Sequence, residues 1–206
     1  MIDALAEAVG RDVSRETYQQ LQRYAEILGS EAKRHNLIAV STLGSLWDRH
    51  ILDSAQLVRL EPGPGASWVD IGSGAGLPGI VIATLVTGPM LLVEPRRLRA
   101  EFLERAIAKL GLGQRVSVAA RNVQKVSGKF DVITARAVAA LDRLLAISTH
   151  LSTRKTLWVL PKGRGAQSEL AEARRSWQCE AETVPSRTDP DSEILLLREV
   201  KARGGR

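Results

Sequence analysis

A chain of 206 residues, 44% hydrophobic and 25% charged, can bury a core without disulfide or metal staples, and its composition excludes a miniature scaffold, a disordered chain and a fibrous repeat. Twenty-nine basic against 23 acidic residues leave a formal net charge of +6, which favours a polyanionic partner through long-range attraction to phosphates without demanding one. Cys179 is the one cysteine, so no intrachain disulfide forms, and His35, His50 and His150 have no neighbouring cysteine at metal-ligand spacing, so no metal is expected. The apolar run from Gly79 to Val86 is too short to cross a bilayer, and the start Met1-Ile2-Asp3-Ala4 lacks a basic segment followed by an apolar one. A soluble, cytoplasmic protein is expected.

Tyr18, Leu21, Ala25, Leu28 and Ala32 recur at three- and four-residue steps after Ser14, a good N-cap, and predict a first helix. A second is predicted after Thr42, through Leu46, Trp47, His50, Ile51, Ser54 and Val58, ending before Glu61-Pro62-Gly63-Pro64-Gly65. That Pro/Gly run divides an N-terminal helical cap, residues 1–61, from a domain spanning 66–200. Beyond it, strand-like runs at Ser67 to Ile71, Met90 to Glu94, Arg115 to Ala119, Phe130 to Ala135 and Thr156 to Leu160 alternate with helical patterns. The helices are Gly79 to Val86, Leu98 to Leu110, Leu141 to His150 and Gln167 to Trp177. Such alternation implies a parallel sheet covered on both faces. Two further strands, Cys179 to Pro185 and Glu193 to Val200, have no helix between them and predict a terminal antiparallel hairpin. The expected fold is α/β, a seven-stranded, mostly parallel Rossmann-like sheet, with a mobile basic tail at 201–206.

The most informative segment runs from Trp68 to Gly79. A strand ending in Asp70-Ile71 enters the glycine run Gly72-Ser73-Gly74-Ala75-Gly76 and then a helix, the context in which a glycine fingerprint is credible. Glycines there permit positive φ angles and remove the Cβ atoms that would hold a ligand off the backbone. Glu94, twenty-two residues past Gly72, closes the second strand, where a carboxylate can accept from both hydroxyls of a ribose. Gly74-Ala75-Gly76-Leu77-Pro78-Gly79 also matches the dinucleotide pattern G-x-G-x-x-G, so an NAD-dependent oxidoreductase competes with an S-adenosylmethionine enzyme. The stretch Asp70-x-Gly72-x-Gly74-x-Gly76 resembles motif I of class I methyltransferases, the seven-strand count with its hairpin resembles the same class, and no residues remain for a hydride-acceptor domain. These features favour the methyltransferase.

Further blocks narrow the resemblance: Asn36-Leu37, Arg49-His50-Ile51-Leu52-Asp53-Ser54, Leu77-Pro78-Gly79, Glu94, Phe102-Leu103, Ala135-Arg136-Ala137 and Lys162-Gly163. With these the chain resembles, over nearly its whole length, the RsmG family, also called glucose-inhibited division protein B, of 16S ribosomal RNA guanine-N7 methyltransferases. The resemblance implies methyl transfer from S-adenosylmethionine to N7 of one guanine in the decoding-region loop. It places Asp70, Gly72, Gly74, Gly76, Leu77, Glu94, Asn122, Val123 and Arg136 at the cofactor. Asn122-Val123 stands where the family usually has a small residue followed by Glu, so the adenine contact must use backbone groups or the Asn122 amide.

The chemistry suits these residues. N7 of guanine has an in-plane lone pair and no proton, so direct displacement requires no general base, and no catalytic acid–base pair stands out. Cys179 lacks a Pro-Cys motif and reads as a small buried residue. The loop Thr134-Ala135-Arg136-Ala137 offers Arg136 as a planar fork for guanine O6 or a phosphate, against the alternative of a plain ion pair. RNA contacts are expected from Arg96, Arg97, Arg99, Arg121, Arg136, Lys162 and Arg164 around the same sheet edge. Arg49 and His50 could meet RNA or anchor the helical cap, with Asp53 a partner for either; the helix face that His50 shares with Trp47 and Ser54 favours anchoring, and Trp47 and Trp68 are read as core residues. A non-catalytic, basic ribosome-assembly factor remains the alternative to an enzyme.

Overall fold

The computed structural model of the protein describes residues 1–35 and 44–204. The expected blocks Asn36-Leu37 and the helix start after Thr42 lie outside the described residues. Seven strands form one sheet: β1 (Trp68–Ile71), β2 (Met90–Val93), β3 (Val116–Ala119), β4 (Val132–Ala135), β5 (Leu157–Lys162), β6 (Trp177–Pro185) and β7 (Glu193–Ala202). Their spatial order is β3-β2-β1-β4-β5-β7-β6. The first five run parallel, and β7 is antiparallel to both β5 and β6. The order reverses between β1 and β4, so their carboxyl ends open a crevice of the kind where open α/β sheets bind ligands.

Two-residue alternation sorts the strands into two cores. Trp68, Leu92, Val132, Leu157 and Val159 face α4 (Gly79–Leu85), α5 (Arg97–Lys109) and the N-terminal helices. Val69, Ile71, Val93, Ile133, Trp158 and Leu160 face α6 (Leu141–Ser148) and α7 (Ala166–Ala173). Asp70 and Thr134 are polar residues on the first face, fully buried and paired in register.

The N-terminal segment begins with α1 (Ile2–Val9), which the sequence reading did not identify, followed by α2 (Arg15–His35). The Ser14 hydroxyl accepts from the Thr17 N–H at 3.1 Å, the expected N-cap. Leu5, Leu21, Tyr24, Leu28, Ile51 and Leu57 are fully buried in the same cluster as Trp68 and Ile80, so the helical cap shares its core with one sheet face. The second helix is not regular: a π turn at Trp47–Leu52, a single α turn at Asp53–Ala55 and a 3₁₀ stretch at Gln56–Leu60 follow one another. Apolar spacing alone does not distinguish these helix types. Tyr18 packs edge-to-face on Trp47, ring centroids 5.4 Å apart, and Trp68 is fully buried, so both tryptophans are packing residues.

Two corrections fall at the C-terminal end. Trp177 begins β6 instead of ending a helix; α7 stops at Ala173. Leu170, Ala173 and Trp177 share a helical spacing, yet all three fill the same core from two elements. Lys201 and Ala202, expected in a mobile tail, instead belong to β7 and pair with Gln178 and Trp177.

Candidate active site

The glycine turn after β1 is held from four directions. The Ser73 hydroxyl donates to the Asp70 carbonyl at 2.9 Å, and the Gly76 N–H to the Ser73 carbonyl at 2.6 Å. The Gly74 N–H donates to Glu94 Oε2 at 2.9 Å, and the Gly79 N–H to Asp70 Oδ2 at 3.2 Å. From the cap, the buried Tyr24 hydroxyl donates to the Ala75 carbonyl at 2.7 Å. Burial pushes this phenol well above its ordinary range, so it stays a donor. Gly72, with φ +69°, needs its missing side chain, since a Cβ there would stand 2.6 Å from Val138 Cγ2.

Along the carboxyl edge lies a cavity of about 430 Å³, lined by Gly72, Glu94, Asn122, Val123, Ala137 and Val138, with Arg96, Arg99 and Arg143 also on its wall. Four predicted cofactor residues therefore meet in one groove. The other assignments sit differently. Asp70 lies beneath the turn, wholly buried, its Oδ1 without a hydrogen-bond partner among the described residues; burial pushes its carboxyl up to about 6. Gly76 is packed under Ile80 and Tyr24, and Leu77 is buried in the core. These residues shape the turn from behind.

A second cavity, of about 640 Å³, adjoins the first across Ala137 and Val138, and Asp53, Gln56, Arg136, Lys162, Glu169 and Glu193 are on its wall. Arg136, expected at the cofactor, stands here. Its Nη1 donates to Asp53 Oδ2 at 3.2 Å, with each side chain 22% exposed. Asp53 Oδ1 accepts from Gln56 and the Thr188 hydroxyl, and Gln56 also bonds Ser186 and the Arg187 N–H. The cap is thereby tied to the β6–β7 loop, and Asp53 pairs with Arg136 instead of with Arg49 or His50. Lys162 donates to Glu169 at 2.8 Å. Ala137 holds a positive φ of 55° on the wall between the cavities, which costs roughly 1–2 kcal/mol for a residue with a Cβ.

Three comparisons with known proteins bear on this arrangement. The family described as GidB, rRNA small subunit methyltransferase G, matches residues 17–195. The chain belongs to this family. Relatives carrying that description include one from Rhizorhabdus wittichii, 46% identical over 93% of this chain and 90% of its own. One from Zymomonas mobilis is 43% identical over 91% of this chain and 88% of its own. Among solved structures, an S-adenosylmethionine-dependent methyltransferase from Aquifex aeolicus superposes with a TM-score of 0.60 at 13% identity, covering 75% of this chain and 93% of that one. A ribosomal protein L11 methylase from Lactobacillus delbrueckii gives 0.55 at 18% identity, covering 73% of this chain and 78% of that one. The Rossmann-like methyltransferase fold is thus shared, and the chain is a methyltransferase; the oxidoreductase and assembly-factor alternatives find no support.

The basic rim divides by partner. Arg97 pairs with Glu101 at 2.6 Å, Arg164 with Asp191, Lys162 with Glu169 and Arg136 with Asp53. Arg96, Arg99, Arg121 and Arg143 have no acid partner among the described residues, and Arg143 was not among the sequence-predicted contacts. Its place on α6, one turn past the β4 loop, gives no signal before the fold is known. Cys179 is half-buried, and burial pushes its thiol up and disfavours the thiolate. Among the described residues no cluster of His, Cys, Asp or Glu is arranged to hold a metal, and no helix is long and apolar enough to cross a membrane.

Proposed function

We propose that this chain transfers the methyl group of S-adenosylmethionine to N7 of a guanine in the decoding-region loop of 16S ribosomal RNA. The observation that carries the reading is the groove in which the bare Gly72 backbone, the Glu94 carboxylate and Asn122 meet at the sheet's carboxyl edge, in a chain of this family. The residues fit the cofactor. Glu94 spends one acceptor site on each oxygen, toward Gly74 and Arg96, and has others left for ribose hydroxyls. Asn122 offers an amide to the adenine, and Val123 an apolar wall. Gly74, Gly76, Leu77 and Asp70 keep the turn open from below. When bound, the cofactor supplies an electrophilic methyl on a sulfonium.

N7 of guanine has no proton to lose, so the transfer asks no general base of the Asp53, Lys162, Glu169 or Glu193 side chains on the cavity wall. What the protein must supply is alignment. RNA phosphates are drawn by cations with no acid partner among the described residues, Arg96, Arg99 and Arg121, with Arg143 beside them; Arg97, Arg136, Lys162 and Arg164 act within their ion pairs.

The test is incubation with methyl-labelled S-adenosylmethionine and small ribosomal subunits from a strain lacking the enzyme, followed by mapping of the label. Label at N7 of one guanine of the decoding-region loop is expected. Label on another atom, or none under conditions where calorimetry shows the cofactor bound, would overturn the reading; saturable binding of NAD in place of S-adenosylmethionine would overturn the cofactor assignment.

A further inference from the structure

The larger cavity adjoins the cofactor groove, and its volume of about 640 Å³ falls within the roughly 300–1,000 Å³ of clefts that hold small ligands. Its charged side chains are not equivalent. Arg136 is neutralised by Asp53 at 3.2 Å and Lys162 by Glu169 at 2.8 Å. Asp53 has both oxygens occupied, one by Arg136 and the other by Gln56 and Thr188. Glu169 Oε2 takes the Leu141 N–H as well as Lys162. Glu193 alone among the lining acids has no ion pair among the described residues, and the one hydrogen bond its carboxylate accepts from them is a contact of 3.5 Å from the Gln167 amide. The strand register fixes its place: Glu193 begins β7, opposite Lys162 at the carboxyl end of β5, so the carboxylate stands on a rigid sheet edge and not on a loop.

We infer that this cavity receives the target guanine after it leaves the RNA stack, and that the Glu193 carboxylate accepts hydrogen bonds from its N1–H and N2 amino group. Guanine is the nucleobase whose pairing edge offers two adjacent donors, and a carboxylate matches them with two acceptors. Adenine presents an acceptor at N1 and would leave Glu193 opposed to a lone pair. The orientation also suits the reaction proposed above, on which this inference rests. With the pairing edge on Glu193, the opposite edge carrying N7 is turned away from the sheet edge and is available to the neighbouring groove. In the step itself the N7 lone pair forms the new N–CH₃ bond, the C–S bond breaks, its electron pair stays on sulfur, and no proton moves. The purine gains the positive charge that sulfur loses. N1–H and the amino group become stronger donors as that charge develops, so an anion accepting from them binds the transition state more tightly than the ground state. The two balanced ion pairs contribute little to this difference. Among the described residues Glu193 is the lining acid without an ion pair.

The experiment compares wild-type protein with Glu193→Gln and Glu193→Ala, using methyl-labelled S-adenosylmethionine and small-subunit RNA carrying either guanosine or inosine at the methylated position. Inosine keeps N7 and N1–H and lacks the N2 amino group. Wild type should prefer guanosine by about tenfold in kcat/KM, and Glu193→Gln should lose ~10- to 100-fold on guanosine, in line with a bidentate base contact. In both variants the guanosine-to-inosine ratio should fall toward one, while calorimetric affinity for S-adenosylmethionine and the melting temperature stay at wild-type values. A merely structural Glu193 would lower both substrates alike and keep the ratio; that result, or wild-type turnover by Glu193→Gln, overturns the inference. Wild-type protein inactive on guanosine RNA would instead overturn the proposed function, so the two failures are distinguishable.

Discussion

The three glycines of the turn after β1 do different work, and a Cβ added to each meets different neighbours. At Gly74, with φ +54°, the nearest atoms are Arg99 Nη1 at 3.6 Å and the Gly72 carbonyl at 3.7 Å; at Gly76, Ile80 Cδ1 would be 2.6 Å away and the Tyr24 hydroxyl 2.9 Å. Gly74→Val is expected to keep the fold, at a strain of roughly 1–2 kcal/mol, and to weaken S-adenosylmethionine binding at least ~10-fold as the turn is displaced from Glu94. Gly76→Val is expected to lower the melting temperature sharply, because the backbone lies against core atoms that cannot retreat. Calorimetry and thermal melts on the pair check both, and undiminished affinity in Gly74→Val would count against the groove. Asp70 offers a second test. Burial pushes its carboxyl up to about 6 from the usual 3.8, so between about pH 4 and 6 the folded chain holds a proton that the unfolded chain releases. Its contribution to stability therefore falls as pH rises through that window and stays lost above it, by an amount on the order of 3 kcal/mol. Asp70→Asn should remove that decline. Urea unfolding at pH 4.5, 5.5 and 7 checks it; a parallel loss in wild type and variant would show that Asp70 is not its source.

At the scale of elements, the β6–β7 loop and the irregular helix of the cap are joined through Gln56, whose side chain reaches Asp53, Ser186 and Thr188 and accepts from the Arg187 N–H. Gln56 is only 3% exposed. Gln56→Ala would strand these partners, at about 1–3 kcal/mol for each polar group left buried and unmatched. Proteolytic cleavage between 186 and 192 should accelerate in this variant while S-adenosylmethionine affinity holds, because the groove lined by Gly72 and Glu94 lies on the other side of Val138; unchanged protection would show that the tie is dispensable. This link was not legible in the chain, since Gln56 and Arg187 are 131 positions apart and neither belongs to a motif. α1 escaped for a related reason. Leu5, Ala8 and Val9 are buried, but so short a run becomes helical only when a core is present to receive its apolar side. The glycine turn, by contrast, was readable, because strand, glycines and helix are contiguous.

For the whole molecule, a net charge of +6 is a weak guide until the ion pairs are known. Exposed pairs contribute little to stability, yet they decide which cations remain available to phosphate. Arg96 and Arg99 line the groove beside Gly72 and Glu94 and have no acid partner among the described residues, whereas the Arg164 side chain is 80% exposed and already meets Asp191. Removing either of the first two should weaken RNA binding and reduce the slope of log affinity against log salt by about 0.7–0.9. Arg164→Ala should change the slope less. Salt titrations of binding to small-subunit RNA test this ordering, and equal effects from all three would refute it.

The chain by itself determined the alternation of strands and helices, the terminal hairpin, the turn after β1 and the family resemblance, because each is written in residues close together or in a pattern repeated along one element. The tertiary structure alone decided that Asp70, Gly76 and Leu77 support the turn from beneath, that Arg136 belongs to a second cavity with Asp53, and that Glu193 has no ion pair among the described residues. Those facts depend on which side chains from distant segments meet at one sheet edge, and burial and charge pairing come into existence only when they do.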